Sequence, residues 1–116
     1  MKPNRISCCV PFCRRTVAAD RIAPSDEWIC GTHWPQVPKK VRAFKIKAAR
    51  AFEKTIEAYD TINHEGAECV ASLRTVSSEL KARSYAAWLH RAKAQRRCAR
   101  AWERCKRRAI ESGMGI

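Results

Sequence analysis

Residues 38–62, PKKVRAFKIKAARAFEKTIEAYDTI, decide the fold class. At ~100° per residue, Val41, Phe44, Ala48, Ala51, Phe52, Thr55, Tyr59 and Ile62 fall within one half of a helical wheel. Lys39, Lys40, Lys47, Arg50 and Lys54 gather on the other half, and Ile46 among the charges is a blemish. The pattern predicts an amphipathic helix from about Pro38 to Ile62. Asn63-His64-Glu65-Gly66 reads as its stop, because Asn or Gly takes the left-handed cap at low cost.

On the N-terminal side the composition changes. All five prolines lie in the first 38 residues, and none follows Lys39. Proline costs ~3 kcal/mol inside a helix, so the chain divides near Val37–Lys39 into an irregular head, residues 1–37, and a helical part, residues 38–116. On the C-terminal side, roughly Ala67 to Glu111 carries one apolar stripe: Cys69, Leu73, Val76, Leu80, Ala87, Ala94, Cys98, Trp102, Cys105 and Ala109. Arg91 and Ser84 interrupt it, and a break near Ser77–Ser78 or Ser84 stays open. A Ser-x-x-Glu start fits Ser77 with Leu80 poorly, so no capping box is claimed there. Trp88 and Trp102 are expected to fill the seam between the helices. The predicted fold is mostly α, an N-terminal knuckle followed by a long helical hairpin.

The knuckle rests on cysteine spacing. The chain has seven cysteines, an odd number that cannot all pair within one chain. Without an apolar export signal in MKPNRISCCVPF, the expected setting is cytoplasmic and the thiols reduced, which favours metal over disulfides. Cys8, Cys13, Cys30 and His33 form C-x4-C and C-x2-H pairs, separated by sixteen residues. Two close pairs of sulfur and imidazole donors suit tetrahedral Zn²⁺, and four protein ligands fill its shell, as in a structural site. Gly31 suits the tight turn of a ligand knuckle. In a head with few aliphatic residues, metal binding would supply folding energy that the core lacks. The bland alternative is a set of unlinked small hydrophobes and a surface histidine. Spacing alone leaves Cys8 and Cys9 as rivals for the first ligand.

The run Cys8-Cys9-Val10-Pro11-Phe12-Cys13, followed by Trp28-Ile29-Cys30-Gly31-Thr32-His33-Trp34, resembles small zinc-knuckle proteins of bacteriophages and prophages. The resemblance covers roughly residues 7–36. It implies Cys8 as first ligand, with Cys13, Cys30 and His33, and leaves Cys9 spare. The same knuckle occurs in some phage His-Asn-His endonucleases, which would imply nuclease activity if a catalytic module were present. The chain departs from that pattern: outside the knuckle only His64 and His90 remain, both in helical segments. A metallonuclease needs a general-base histidine beside its own metal site, so no enzyme activity is expected. Cys98 and Cys105 are ~10.5 Å apart along a helix, too far for one disulfide or one ion, and read with Cys69 as small buried side chains.

Charge points to the partner. Lys and Arg number 24 against 11 Asp and Glu, a net charge of +13. Residues 64–90 balance to zero, whereas residues 91–116 hold nine basic and two acidic side chains. Lys93, Arg96, Arg97, Arg100, Arg104, Arg107 and Arg108 fall on one helix face, opposite Cys98, Trp102 and Cys105. Favourable charge at a helix C-terminus explains two or three of these but not seven. Unpaired like charges on one face favour a polyanion, and arginine grips phosphate with two parallel hydrogen bonds. The expected partner is nucleic acid, DNA or RNA, bound through phosphates with weak sequence preference. Arg14 and Arg15 from the knuckle, Lys39, Lys40, Lys47, Arg50 and Lys54 from the first helix, and the C-terminal ribbon are the expected contacts. The rival is an adaptor or inhibitor whose basic helix docks on an acidic host-protein surface. No stretch approaches the ~18 apolar residues of a membrane span, and the apolar face lacks the bulky residues of an interfacial helix. Trp28 and Trp34 read as a small core over the metal, or as platforms for an unpaired base. Two Ala-rich helices bury little, which leaves association of copies through the stripe open.

Overall fold

The computed structural model describes residues 4–115 of the chain. A two-stranded antiparallel hairpin opens it, β1 (Arg5–Ser7) against β2 (Thr16–Ala18), with Ile6 opposite Val17. A single helical turn, α1 (Ala19–Ile22), and a 3₁₀ turn (Trp34–Gln36) follow. Two long helices then take up the rest, α2 (Lys39–Ala71) and α3 (Ser78–Gly113). The architecture is the expected one, mostly α with a small head before a helical hairpin. The residues group into two compact units, Met1–Phe44 with Ala101–Ile116, and Lys45–Arg100.

The first unit is built on the head. Cys8, Val10, Ile29, Cys30 and Val37 are buried together with Cys105 and Ala109 from the last turns of α3. Cys105 and Ala109, four residues apart on one small-residue face of α3, meet the head, and Ala101 one turn earlier on that face is buried as well. Cys105 Sγ donates to the Val41 carbonyl of α2 at 3.7 Å. Trp102 Nε1 donates to Glu27 Oε1 at 3.1 Å, and Lys106 Nζ donates to Glu27 Oε2 at 2.6 Å. Trp102 therefore packs against the head core rather than along the seam, whereas Trp88, 47% exposed and stacked on Tyr85, borders the groove between α2 and α3 with Tyr59, Ile62 and Leu80.

In the second unit α2 and α3 run antiparallel. Ser84 Oγ donates to Asn63 Oδ1 at 3.2 Å, Arg83 pairs with Glu65 at 3.5 Å, and the Arg91 guanidinium lies 5.5 Å from the Tyr59 ring centre. Its buried positions are Ala48, Thr55 and Leu80, a thin core. Thr55 is tolerated there because its hydroxyl donates back to the Phe52 carbonyl at 2.6 Å.

The predicted stop at Asn63–Gly66 is wrong: α2 continues through it to Ala71. The helix ends at Leu73, whose φ is 58°. Arg74 N donates to Cys69 O and Leu73 N to Val70 O, the paired bonds of a Schellman cap with leucine in the position glycine usually holds. Cys69 thus belongs to α2, and Leu73 and Val76 lie in the connection rather than on the α3 stripe. Ser77 does cap α3, its Oγ accepting from Leu80 N at 3.1 Å, and the helix passes unbroken through Ser84.

Candidate functional site

The β-hairpin and the loop before the 3₁₀ turn bring Cys8, Cys13, Cys30 and His33 together. Cys8 extends the β1–β2 ladder, its N–H bonded to Arg15 O at 3.0 Å, and Cys13 stands three residues before β2. His33 and Trp34 fold back on the Cys30 carbonyl at 3.2 and 2.9 Å, which turns the imidazole towards the Cys30 sulfur. The four donor atoms lie within 4.8 Å of one another and are able to hold a metal ion. Cys30 Sγ is 3.2 Å from His33 Nδ1, Cys8 Sγ 3.7 Å from the same nitrogen, and Cys13 Sγ 3.9 Å from Cys30 Sγ. Of the two rivals for the first position, Cys8 joins the cluster. Cys9 packs against the head core, its N–H on Trp28 O at 2.8 Å.

The electrostatics favour a thiolate at Cys30. Burial pushes this thiol up, but the backbone N–H groups of His33 and Thr32 and the side chains of His33 and Cys8 outweigh it and bring its pKa to about 6. Burial raises the Cys8 thiol, against hydrogen bonds from the backbone of Cys30 and Val10. Cys30 N donates to Cys8 Sγ at 3.4 Å. Trp28 and Trp34 pack against the surrounding core. Gly113, at the end of α3, lies close to Val10 and the His33 ring. A Cβ there would overlap Val10 Cγ1 and stand 3.6 Å from the His33 ring. The sequence reading missed this contact.

It also missed Phe12. Cys13 N donates to Val10 O at 3.2 Å, closing a turn with Pro11 second and Phe12 third, and Phe12 has φ 66°. Pro then a positive φ is the type II pattern, whose third position favours Gly or Asn. A side chain there costs about 1–2 kcal/mol. Gly31 lies in the Cys30–His33 turn as expected, but outside the left-handed region and with nothing within 4 Å of an added Cβ, so that turn does not require glycine. Pro11 inside a short Cys-to-Cys loop was the available signal.

All fourteen basic residues expected to contact phosphate are exposed: Arg14, Arg15, Lys39, Lys40, Lys47, Arg50, Lys54, Lys93, Arg96, Arg97, Arg100, Arg104, Arg107 and Arg108. Among the described residues the ion pairs are His64–Glu68, Arg83–Glu65 and Lys106 with Glu27 and Glu103, so none of the fourteen is neutralised by a carboxylate. Arg104 lies over the Phe44 ring, 5.7 Å from its centre. In the second unit Lys54, Lys93 and Arg97 border one groove of about 410 Å³, floored by Ala48, Ala51, Ala58 and Ala94, with His90 beside them. His64 is exposed on α2. Among the described residues no helix is long and apolar enough to cross a membrane. No protein-family model, curated protein or solved structure matches the chain.

Proposed function

We propose that this chain is a zinc-stabilised protein that binds nucleic acid through phosphates, with little sequence preference. The observation that carries the reading is the set of exposed, carboxylate-free cations on both long helices and beside the cluster. Self-repulsion among them disfavours the folded chain until polyanion binding offsets it. Three sulfurs and one imidazole are the donor set of structural zinc. With bonds of ~2.3 Å to sulfur and ~2.05 Å to nitrogen, a tetrahedron has edges of roughly 3.8 Å (S to S) and 3.6 Å (S to N). The separations of 3.9, 3.7 and 3.2 Å lie close to these. Four protein donors fill the shell and leave no position for substrate, so the ion acts by holding the head together. We assign the chain no catalytic role. The knuckle's likeness to small phage proteins fits action in a host cytoplasm.

One purification tests both parts. Protein prepared without added metal is expected to hold one zinc per chain and to carry a raised 260/280 nm absorbance ratio that nuclease treatment removes. Binding of the nuclease-treated protein to oligonucleotides should weaken about 10³- to 10⁵-fold from ~50 to ~200 mM salt, as for 6–10 phosphate contacts. A flat salt response, or a partner protein that stays bound after nuclease treatment while oligonucleotides do not bind, overturns the nucleic-acid reading in favour of an acidic protein surface. A metal-free chain with an unchanged fold overturns the zinc assignment.

A further inference from the structure

The head carries one feature that folding does not explain. Phe12 sits in the left-handed region at the third position of its turn and is 94% exposed. Glycine would suit the backbone better, and water is a poor environment for the ring. Pro11 before it and the cluster ligand Cys13 after it hold the turn, so the ring stands on a short, rigid loop. Arg14 and Arg15 follow directly, both exposed and in no ion pair among the described residues.

An uncovered aromatic ring with two exposed arginines two and three residues further along the chain matches a nucleotide whose base is unstacked. The ring covers the base face while the guanidinium groups take flanking phosphate oxygens. A duplex presents the phosphates but not the base face. The other aromatic side chains of the head do not compete, because Trp28 and Trp34 are packed against its core. Tyr85 and Trp88 are exposed, but they belong to residues 64–90, where basic and acidic side chains balance.

We propose that Phe12, with Arg14 and Arg15, is a stacking site for an unpaired nucleobase, through which the head prefers single-stranded to double-stranded nucleic acid. The inference rests on the nucleic-acid reading above. The test uses the full zinc-loaded chain, a short oligothymidylate and a duplex of equal length at one salt concentration. Phe12→Gly suits the turn, so the head keeps its fold and zinc, verified by metal content and thermal transition. This variant should lose about 5- to 150-fold in affinity for the single strand, the range for one base–aromatic stack, and bind the duplex as the parent does. Phe12→Trp should restore the single-strand affinity. Unchanged single-strand binding by Phe12→Gly, or equal losses on both probes, overturns the stacking site and leaves phosphate binding standing. A parent protein that binds neither probe at low salt overturns both readings together.

Discussion

Gly113→Ala asks whether the end of α3 sits on the head as closely as the structure has it. The added Cβ would overlap Val10 Cγ1 and lie 3.6 Å from Cδ2 and Nε2 of His33. Val10 is 3% exposed and belongs to the core around the cluster. A β-branched side chain has few rotamers into which to retreat, so the overlap becomes overpacking at about 1–3 kcal/mol. Against it stands the helix propensity of alanine over glycine, at most ~1 kcal/mol in a helix interior and less at the final residue. The overlap wins, and the variant should be about 1–2 kcal/mol less stable, a Tm lower by roughly 4–10 °C. The assay is thermal denaturation with excess zinc, which keeps metal loss out of the comparison. Val10→Ala alone removes two methyl-sized groups and should cost about 2 kcal/mol with its cavity. In the double variant the new Cβ enters the vacated space, so the combined loss should fall short of the sum by about 1–2 kcal/mol. A stabilised Gly113→Ala, or strict additivity in the cycle, would refute the close approach.

Two further expectations concern positions the cluster does not touch. Leu73→Gly removes a side chain that is 96% exposed at φ 58°, relieving about 1–2 kcal/mol against ~0.4–1 kcal/mol of added unfolded-chain entropy. Chemical denaturation should show a gain of roughly 0.5–1 kcal/mol, and a loss would mean the Schellman cap is misplaced. The Lys106 ammonium, hydrogen-bonded to Glu27, holds that carboxyl below its usual range; partial burial opposes the shift and Trp102 assists it. A depressed native pKa gives stability that is full above the unfolded value, ~4.3, and fades as pH falls through the native one. Glu27→Gln should therefore cost about 1 kcal/mol at pH 7, with the gap to the parent closing towards pH 3; a gap constant across that range would exclude the linkage.

The helical hairpin and the four-donor cluster were legible because each follows from a spacing. Apolar positions at helical intervals place Ala48, Thr55 and Phe52 on one face whatever lies opposite, and two short Cys/His pairs need only a loop to meet. The end of α2 was not legible, since its cap is a leucine. Asn63 and Gly66, which look like a stop, are carried through the helix by contacts such as Ser84 to Asn63. Trp102 was misplaced for a similar reason. Its spacing puts it on the α3 stripe, but its partner, Glu27, is 75 residues away, and no local pattern encodes that hydrogen bond.

Phe12 and Leu73 make a natural control for one another. They are the two non-glycine residues at positive φ among the described residues, and both are almost wholly exposed. If backbone strain were all they shared with function, replacing either by glycine would change stability and nothing else. Their surroundings separate them. Leu73 closes a helix whose two cap bonds account for its conformation, in a stretch with no net charge. Phe12 closes a turn that Gly or Asn would form more easily, beside Arg14 and Arg15 at the edge of the cluster. Leu73→Gly should therefore leave single-strand affinity where it was, while Phe12→Gly lowers it. Equal effects of the two on binding would trace the change to chain stiffness, and the ring of Phe12 would have no part in recognition.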